Sequence, residues 1–476
     1  MTKTIDLATL QDAVKTGAAI RSRAILQPAA GNGTKVFPPT YAGAIYASEK
    51  RRLPDHDDPV DCVLLDSVQS QANRLEESLQ QAIDSGKLKE RKKTEEKEEE
   101  SLLVPVVEVD FTGFWDEAKN KKHPANPDAD LIDDLRLLEP VGKVTSLQAP
   151  HRIVDAILRD SLVKEKAKPE EEEERYRPFR GQKDESSYGK RLRQVTAQNA
   201  TALFELCPTA LLLGMWDSTG PKGGLGAKFE RAMVSEVIGI NAVAGVRSSS
   251  RIDPLAIQLE AGPVYVAKDD FQSTWTLDAA NAKTEGDEPL KVGKKKDGKP
   301  SEINHGNVKP DLKDKTGQPF HGGVTITSAE QTIVLSFPAL RRLRFPITRK
   351  KSDSDELETV LDPVVDDAAR TVLAALGLCA AALAAEAGLD LRSRCLLWPT
   401  EPLKWELLGK PGVKDECAPL DANDAIKLLK EAIDAAKTIG LPWREQPLQL
   451  VPSDDLVKLV VKSQVLAQKQ GGEGGE

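Results

Sequence analysis

The sequence predicts an α+β fold built as one elaborated domain. Stretches at 18–28, 104–111 and 323–337 alternate or concentrate β-branched residues in the manner of strands. Segments at about 67–83, 358–387, 421–438 and 454–468 have the spacing of helices. The two kinds of element are mixed along the chain, and no internal repeat sets a period. At 476 residues, 39% hydrophobic and 30% charged, the chain can bury a sizeable core while carrying polar insertions.

The first element, AAIRSRAILQP (18–28), reads as an early strand in which Ile20 and Ala24 alternate with Arg21 and Arg23. LLDSVQSQANRLEESL (64–79) follows as an amphipathic helix. At about 100° per residue, Val68, Ala72, Leu75, Leu79 and Ala82 form one buried stripe. Beside it lie Ser67, Gln71, Arg74 and Ser78 with no carboxylate, while Glu76 and Glu77 fall on the other flank or point away. A phosphodiester or a base edge favours such a flank. Taken by itself the helix is explained better by a structural reading, with solvated Gln and Asn, Asp66 as the N-cap and Gln69 as its capping-box partner.

Residues 86–101 form a first charged insertion, 149–163 has helical spacing, and a second insertion covers 164–190. ALFELCPTALLLGMWDS (202–218) is apolar, and from Leu211 it reads as a hydrophobic strand. It enters a loop containing Gly220, Gly223, Gly224 and Gly226, followed by a helix over 227–238. That order presents backbone N–H groups to phosphate, with Ser218, Thr219 and Lys222 in the loop and Lys228, Arg231 and Ser235 on one helical face. A Walker loop requires Gly-Lys-Ser/Thr, and Gly226-Ala227-Lys228-Phe229 lacks it; the dinucleotide fingerprint fails in spacing. A tight turn alone also accounts for the glycines. INAVAGVRSS reads as a strand, 267–322 as a protruding loop or long hairpin, and 391–399 as a returning strand. GGEGGE (471–476) reads as a disordered tail.

The net charge of −9 is acidic, yet Glu95–Glu100 contributes −4 and Glu170–Glu174 contributes −5, so the rest of the chain is close to neutral. Such runs are expected as solvated loops, and a basic face can coexist with them. Five dispersed cysteines without a CxxC pair imply neither a disulfide framework nor a zinc ribbon and fit a reducing cytoplasm. MTKTIDLATLQDAV lacks the pattern of a signal peptide, and 372–385 reads as a buried core helix rather than a membrane span.

LLDSVQSQANRLE, LLLGMWDSTGPKGGLGAKFERAMVSEVIGI, KPSEINHGNVKP (299–310) and FPALRRLRFP (337–346) resemble the backbone subunit of the type I-G, formerly I-U, CRISPR Cascade complex. That subunit is the Cas-seven-type branch of the RAMP superfamily. The resemblance covers about residues 20–400 and omits both acidic runs and the tail. It implies a ferredoxin-like (RRM-like) palm with helical fingers and a protruding hairpin thumb in an elaborated hand domain, 1–400, followed by a helical extension, 401–470. It implies a non-catalytic subunit that polymerises head to tail along CRISPR RNA and orders guide bases for pairing with target DNA. The implied partners are other Cascade subunits and a recruited helicase-nuclease, with no membrane, cofactor or metal.

On this resemblance the guide crosses near Arg21, Arg23, Gln71, Asn73 and Arg74, and the glycine loop adds Ser218, Thr219, Lys222, Lys228 and Arg231. Arg247 and Arg251 are further candidates, and 294–321 is the thumb candidate with His305 and Asn307 placed to wedge a base step. Aromatic residues total 4%, which favours phosphate grip over extensive base stacking. Two other classes are open to test. A metal-dependent ribonuclease, as in type III backbone subunits, needs a loop aspartate, and Asp66 and Asp217 are the candidates. A generic single-stranded RNA-binding protein needs the basic face but no polymerisation.

Overall fold

The computed structural model describes residues 2–43, 45–54, 57–93, 98–112, 138, 141–166, 174–181, 184–218, 228–247, 249–293, 295–312, 321–350 and 356–471. The elements that frame the site are α1 (Leu7–Thr16), β1 (Ala19–Pro28), β2 (Val60–Asp66), α2 (Val68–Asp84), β3 (Met233–Ile240), β4 (Ser328–Ser336) and α3 (Pro363–Ala387). They continue with β5 (Leu396–Pro399), β6 (Trp405–Leu408), β7 (Lys414–Cys417), α4 (Ala422–Thr438) and α5 (Asp454–Gly471).

A nine-stranded sheet organises the molecule. Its spine runs β5-β1-β4-β3-β2, with Leu389–Asp390 outside β5 and Ser48–Arg51 outside β2. Every pair in it is antiparallel. One edge of β1 is shared: β6 pairs with Ala19–Arg21 at its start and β5 with Leu26–Pro28 at its end. The chain passes from β1 to β3 by way of β2 and α2, makes a long excursion over 241–327 to β4, and reaches β5 through α3.

Period-two patterning explains the two faces. In β1, Ile20, Ser22, Ala24 and Leu26 are buried while Arg21, Arg23, Ile25 and Gln27 lie toward solvent; in β4, Ala329, Gln331, Ile333 and Leu335 are buried. The helices cover the buried face, with α2 packed on β3 and α3 packed against α1, α2 and α4. α3 is long and apolar enough to span a membrane, but it forms the centre of the protein core, with Leu373, Leu376 and Leu378 fully buried. Truncating a side chain of that kind, such as Leu376→Ala, costs about 2–5 kcal/mol.

A second, five-stranded sheet runs 174–178, 161–166, 448–452, 107–110, 143–145. Through it the segment after α4 is stitched to the segments around both charged insertions: 448–452 pairs parallel with 107–110 and antiparallel with 161–166. The acidic runs are partly strands here, where solvated loops were expected. Lys89–Lys93 pairs with Glu98–Leu102 so that Arg91, Lys92 and Lys93 stand opposite Glu100, Glu99 and Glu98. Lys89 Nζ lies 3.6 Å from the Glu100 carboxylate, an opposite charge that offsets part of the repulsion expected within the run.

Several expected elements are corrected. The helix expected over 227–238 is replaced by two strands, Lys228–Phe229, which pairs with Met215–Trp216, and then β3, because Val234, Val237, Ile238 and Ile240 fit a pleated surface with Met233, Ser235 and Val237 turned inward. The apolar segment before the loop is two short helices, Thr201–Leu206 and Pro208–Leu212, the second opened by Pro208 in its first turn, and of the strand expected from Leu211 only Met215–Trp216 forms. Residues 149–163 hold a one-turn helix, Ala156–Arg159, and then a strand. Of 391–399, 396–399 is strand and 392–394 is a turn in which Arg394 has φ +62°. Ser67, not Asp66, caps α2, accepting the Ser70 N–H at 3.2 Å.

Candidate nucleic-acid interface

The open face of the sheet carries the first group of nominated residues. Arg21 and Arg23 project from β1, and their register neighbours on β4 are Val334 and Thr332. Arg21 Nε donates to Glu406 on β6 at 2.6 Å, and Lys414 on β7 donates to the other oxygen of that carboxylate at 2.6 Å. These two donors hold the Glu406 carboxyl below the usual glutamate range, Lys414 contributing most. Arg23 forks onto Glu330 of β4, with contacts at 2.9–3.2 Å. Both arginine side chains keep substantial solvent access, 35% and 47%. Exposed pairs of this type contribute about 0–1 kcal/mol, so an incoming phosphate can exchange for them.

The polar flank of α2 has a different fate. Gln71 is 2% exposed and turned inward. Its amide donates to Asp66 at 2.7 Å, and its oxygen accepts from Ser235 Oγ at 2.7 Å and Gln331 Nε2 at 2.9 Å. Asp66 also accepts from Arg74 Nε at 3.0 Å and Arg392 Nη2 at 3.0 Å. Arg74 in addition donates to the carbonyls of Asp390 and Leu391. A carboxylate on this flank would therefore face Asp66 across a buried network, which explains why the sequence carries none there. Asn73 is exposed on the next turn. Glu76, expected on an outer flank, is buried against Arg152, with Nε to Oε1 at 2.7 Å. Burial pushes the Glu76 carboxyl up and Arg152 opposes it.

Around the glycine loop, Ser218, Lys228 and Arg231 are exposed, and Thr219 and Lys222 lie outside the described residues. Gly214 has φ +84°, and a Cβ there would meet Arg231 Cγ at 2.9 Å, so glycine is needed where the chain passes that side chain. Burial, then the neighbouring Arg152, lowers the Arg231 pKa. Asp217 is buried and paired with Arg180.

The excursion between β3 and β4 begins as an arm: Val243–Val246 pairs with His321–Thr325, and Ser249–Arg251 with Val308–Asp311. Arg247 is exposed between the two ladders. Arg251 donates to the carbonyls of Gly306 at 3.0 Å and His305 at 2.8 Å, and Asn307 accepts from the Asp253 N–H at 2.7 Å. The His305 ring meets Trp275 edge-on at 6.1 Å. These residues tie the far end of the two ladders, where the chain leaves them for 253–305. Of the thumb candidate, residues 294 and 313–320 lie outside the described residues.

Sequence reasoning missed Arg394, whose guanidinium sits 4.3 Å from the centroid of the Phe37 ring, and Arg392, which joins the Asp66 network. An arginine over an aromatic face is a platform that accepts phosphate or base. Both arginines sit in the turn between buried Leu391 and Cys395, where no period-two pattern marks a side chain's direction.

No group of three or more His, Cys, Asp or Glu side chains suited to a metal occurs among the described residues. Both oxygens of Asp66 accept from side-chain N–H donors, two of them guanidinium groups, and Asp217 pairs with another guanidinium. The geometry defines an α+β protein whose antiparallel sheet presents arginines on its open side. Residues 20–244 match the model of the family described as CRISPR-associated protein GSU0053 (Cas_GSU0053), a likeness that supports a role in CRISPR–Cas defence. The chain has no match among curated proteins.

Proposed function

We propose that the chain is the CRISPR RNA-binding backbone subunit of a type I-G Cascade-like complex, cytoplasmic and without catalytic activity of its own. The observation that carries this reading is the family match over 20–244, which spans β1, β2, α2 and β3. The connectivity favours it. The spine order β5-β1-β4-β3 corresponds to the fourth, first, third and second of these strands in the chain, with a helix in the first and third connections. A split β-α-β unit of a ferredoxin-like palm has that arrangement. In this reading the excursion over 241–327 serves as the thumb.

Arg21, Arg23 and Arg394 then grip guide phosphates, while base pairing with target DNA supplies specificity. Head-to-tail copies along the guide require a heterologous interface. The metal-dependent ribonuclease reading draws no support from Asp66 or Asp217, each already neutralised by guanidinium groups.

Expression with a CRISPR array, followed by size-exclusion chromatography, tests the proposal. We expect co-isolated guide RNA and an assembly that grows with guide length. A one-to-one complex with any single-stranded RNA transfers the chain to the generic class. Metal-dependent cutting of RNA complementary to the guide transfers it to the ribonuclease class.

A further inference from the structure

Met215–Trp216 and Lys228–Phe229 form a two-stranded ladder at the two ends of the glycine loop. Met215 stands opposite Phe229, and both are buried; Trp216 stands opposite Lys228, and both are exposed. The next residue, Asp217, is buried again and paired with Arg180. Alternation of this kind puts the Trp216 indole and the Lys228 side chain side by side on the outer face, with Cβ atoms about 5 Å apart. The backbone beneath them is anchored. Met215 and Asp217 hold it on either side of Trp216, and the Gly214 carbonyl accepts from buried Arg152 at 3.0 Å.

Trp216 is 62% exposed, and its neighbours are cations short of counter-charge. Arg231 emerges beside Gly214, two residues before Trp216, where its Cγ occupies the space a Cβ would need. Among the described residues neither Lys228 nor Arg231 has a carboxylate partner. Glu230, which adjoins Arg231 in the chain, pairs with Arg342 at 2.7 Å instead. Trp398 is equally exposed, but the residue opposite it is Gln27.

An exposed aromatic ring beside unpaired cations suits a ligand with a flat π-face and negative charge of its own. An apolar protein segment seated on Trp216 would strip water from Lys228 and Arg231 and supply no counter-charge, which is costly. A nucleotide unit brings a base for the ring and a phosphate for the cation. We propose that Trp216 is a stacking platform for one nucleobase of a bound single strand, with Lys228 on the adjoining phosphate. Every base has a π-face, so the platform holds a base without reading its identity. The assignment deepens the RNA-binding reading and rests on it.

Fluorescence anisotropy of a labelled single-stranded RNA, and of an abasic strand of the same length and charge, tests this with the full chain and its variants. Trp216→Ala should weaken binding of the RNA about tenfold and leave its salt slope and the affinity for the abasic strand unchanged. Trp216→Phe, which keeps a ring, should stay within about threefold of the wild type on both strands. Lys228→Ala should weaken both strands and lower the salt slope by about 0.7. A variant that fails to fold loses both strands together, so the comparison of the two ligands separates stacking from a structural role.

An RNA affinity unaltered by Trp216→Ala, or a loss shared equally by the RNA and the abasic strand, overturns the platform and leaves the RNA-binding reading standing. Trp216→Ala that prevents copies from assembling while each copy keeps its RNA affinity assigns the indole to a protein contact and likewise overturns it. Absence of wild-type binding to either strand at low salt overturns the RNA-binding reading together with the platform.

Discussion

The polar flank of α2 and the open face of β1 use nearly the same side chains to opposite ends. On α2, Gln71 and Arg74 converge on Asp66, which is 1% exposed and also bonded to Arg392. On β1, Arg21 and Arg23 meet Glu406 and Glu330 in pairs open to water. Burial decides the difference. Removing one member of a buried charged network leaves its partners unpaired in a poorly solvating interior, whereas an exposed pair gives way to water or to another anion. The first region is thereby committed to holding β2, α2, β3 and β4 together, and the second remains available to a ligand.

The largest effect that sharpens this contrast should come from Asp66→Ala. It strips Arg74, Arg392 and Gln71 of their shared acceptor, and we expect a loss of about 3–5 kcal/mol in urea unfolding. A loss below about 1 kcal/mol would show that the network is solvated and the contrast is false. Arg152→Ala, which strands buried Glu76, should fall in the same upper range by the same measurement.

Next in size are effects on ligand binding. Arg23→Ala should leave stability within about 1 kcal/mol of the parent while lowering the salt slope of RNA binding by about 0.7, the release expected for one single-strand phosphate contact. Arg394→Ala should act likewise if the Phe37 platform meets the backbone. An unchanged slope in filter binding would remove that side chain from the interface.

The smallest predicted effect is a pH response at the far end of the arm's two ladders. The backbone N–H groups of Gly306 and Leu255 hold the Asp253 carboxyl below its ordinary value of 3.8. A depressed folded-state pKa means the carboxylate supports the arm above the ordinary value and loses that support as pH falls through the lower one. Exchange of the Gly306 amide should quicken over that acidic window and stay flat in Asp253→Asn. Quickening that persists in the variant would point to another group.

The sequence made β1, α2, α4 and the β4 region legible because their patterning is strong and lies on one face, as in Ile20, Ala24 and Leu26. It misled at 202–238, where a glycine loop between apolar segments invited a strand-loop-helix reading. Before the loop, the Ala- and Leu-rich residues through Leu212 are helical and only Met215–Trp216 is strand, while the β-branched segment after it is a strand. The site was legible in part. Arg21 and Arg23 follow from alternation alone, but whether Gln71 points out or in depends on Ser235 and Gln331, which are 164 and 260 residues away. Partners that remote leave no mark in a local pattern, and the same holds for Glu406 and Lys414 beneath Arg21.

Single-stranded RNA binding across ionic strength by the wild type, by Arg21→Ala combined with Arg23→Ala, and by Arg74→Ala separates the two regions most sharply. Binding should weaken linearly on a log–log plot, with a slope shallower by about 1.4 in the β1 double variant. Arg74→Ala should instead lower the melting temperature and keep the wild-type slope. No binding at low salt, or a slope altered by Arg74→Ala and untouched by the β1 pair, would contradict it.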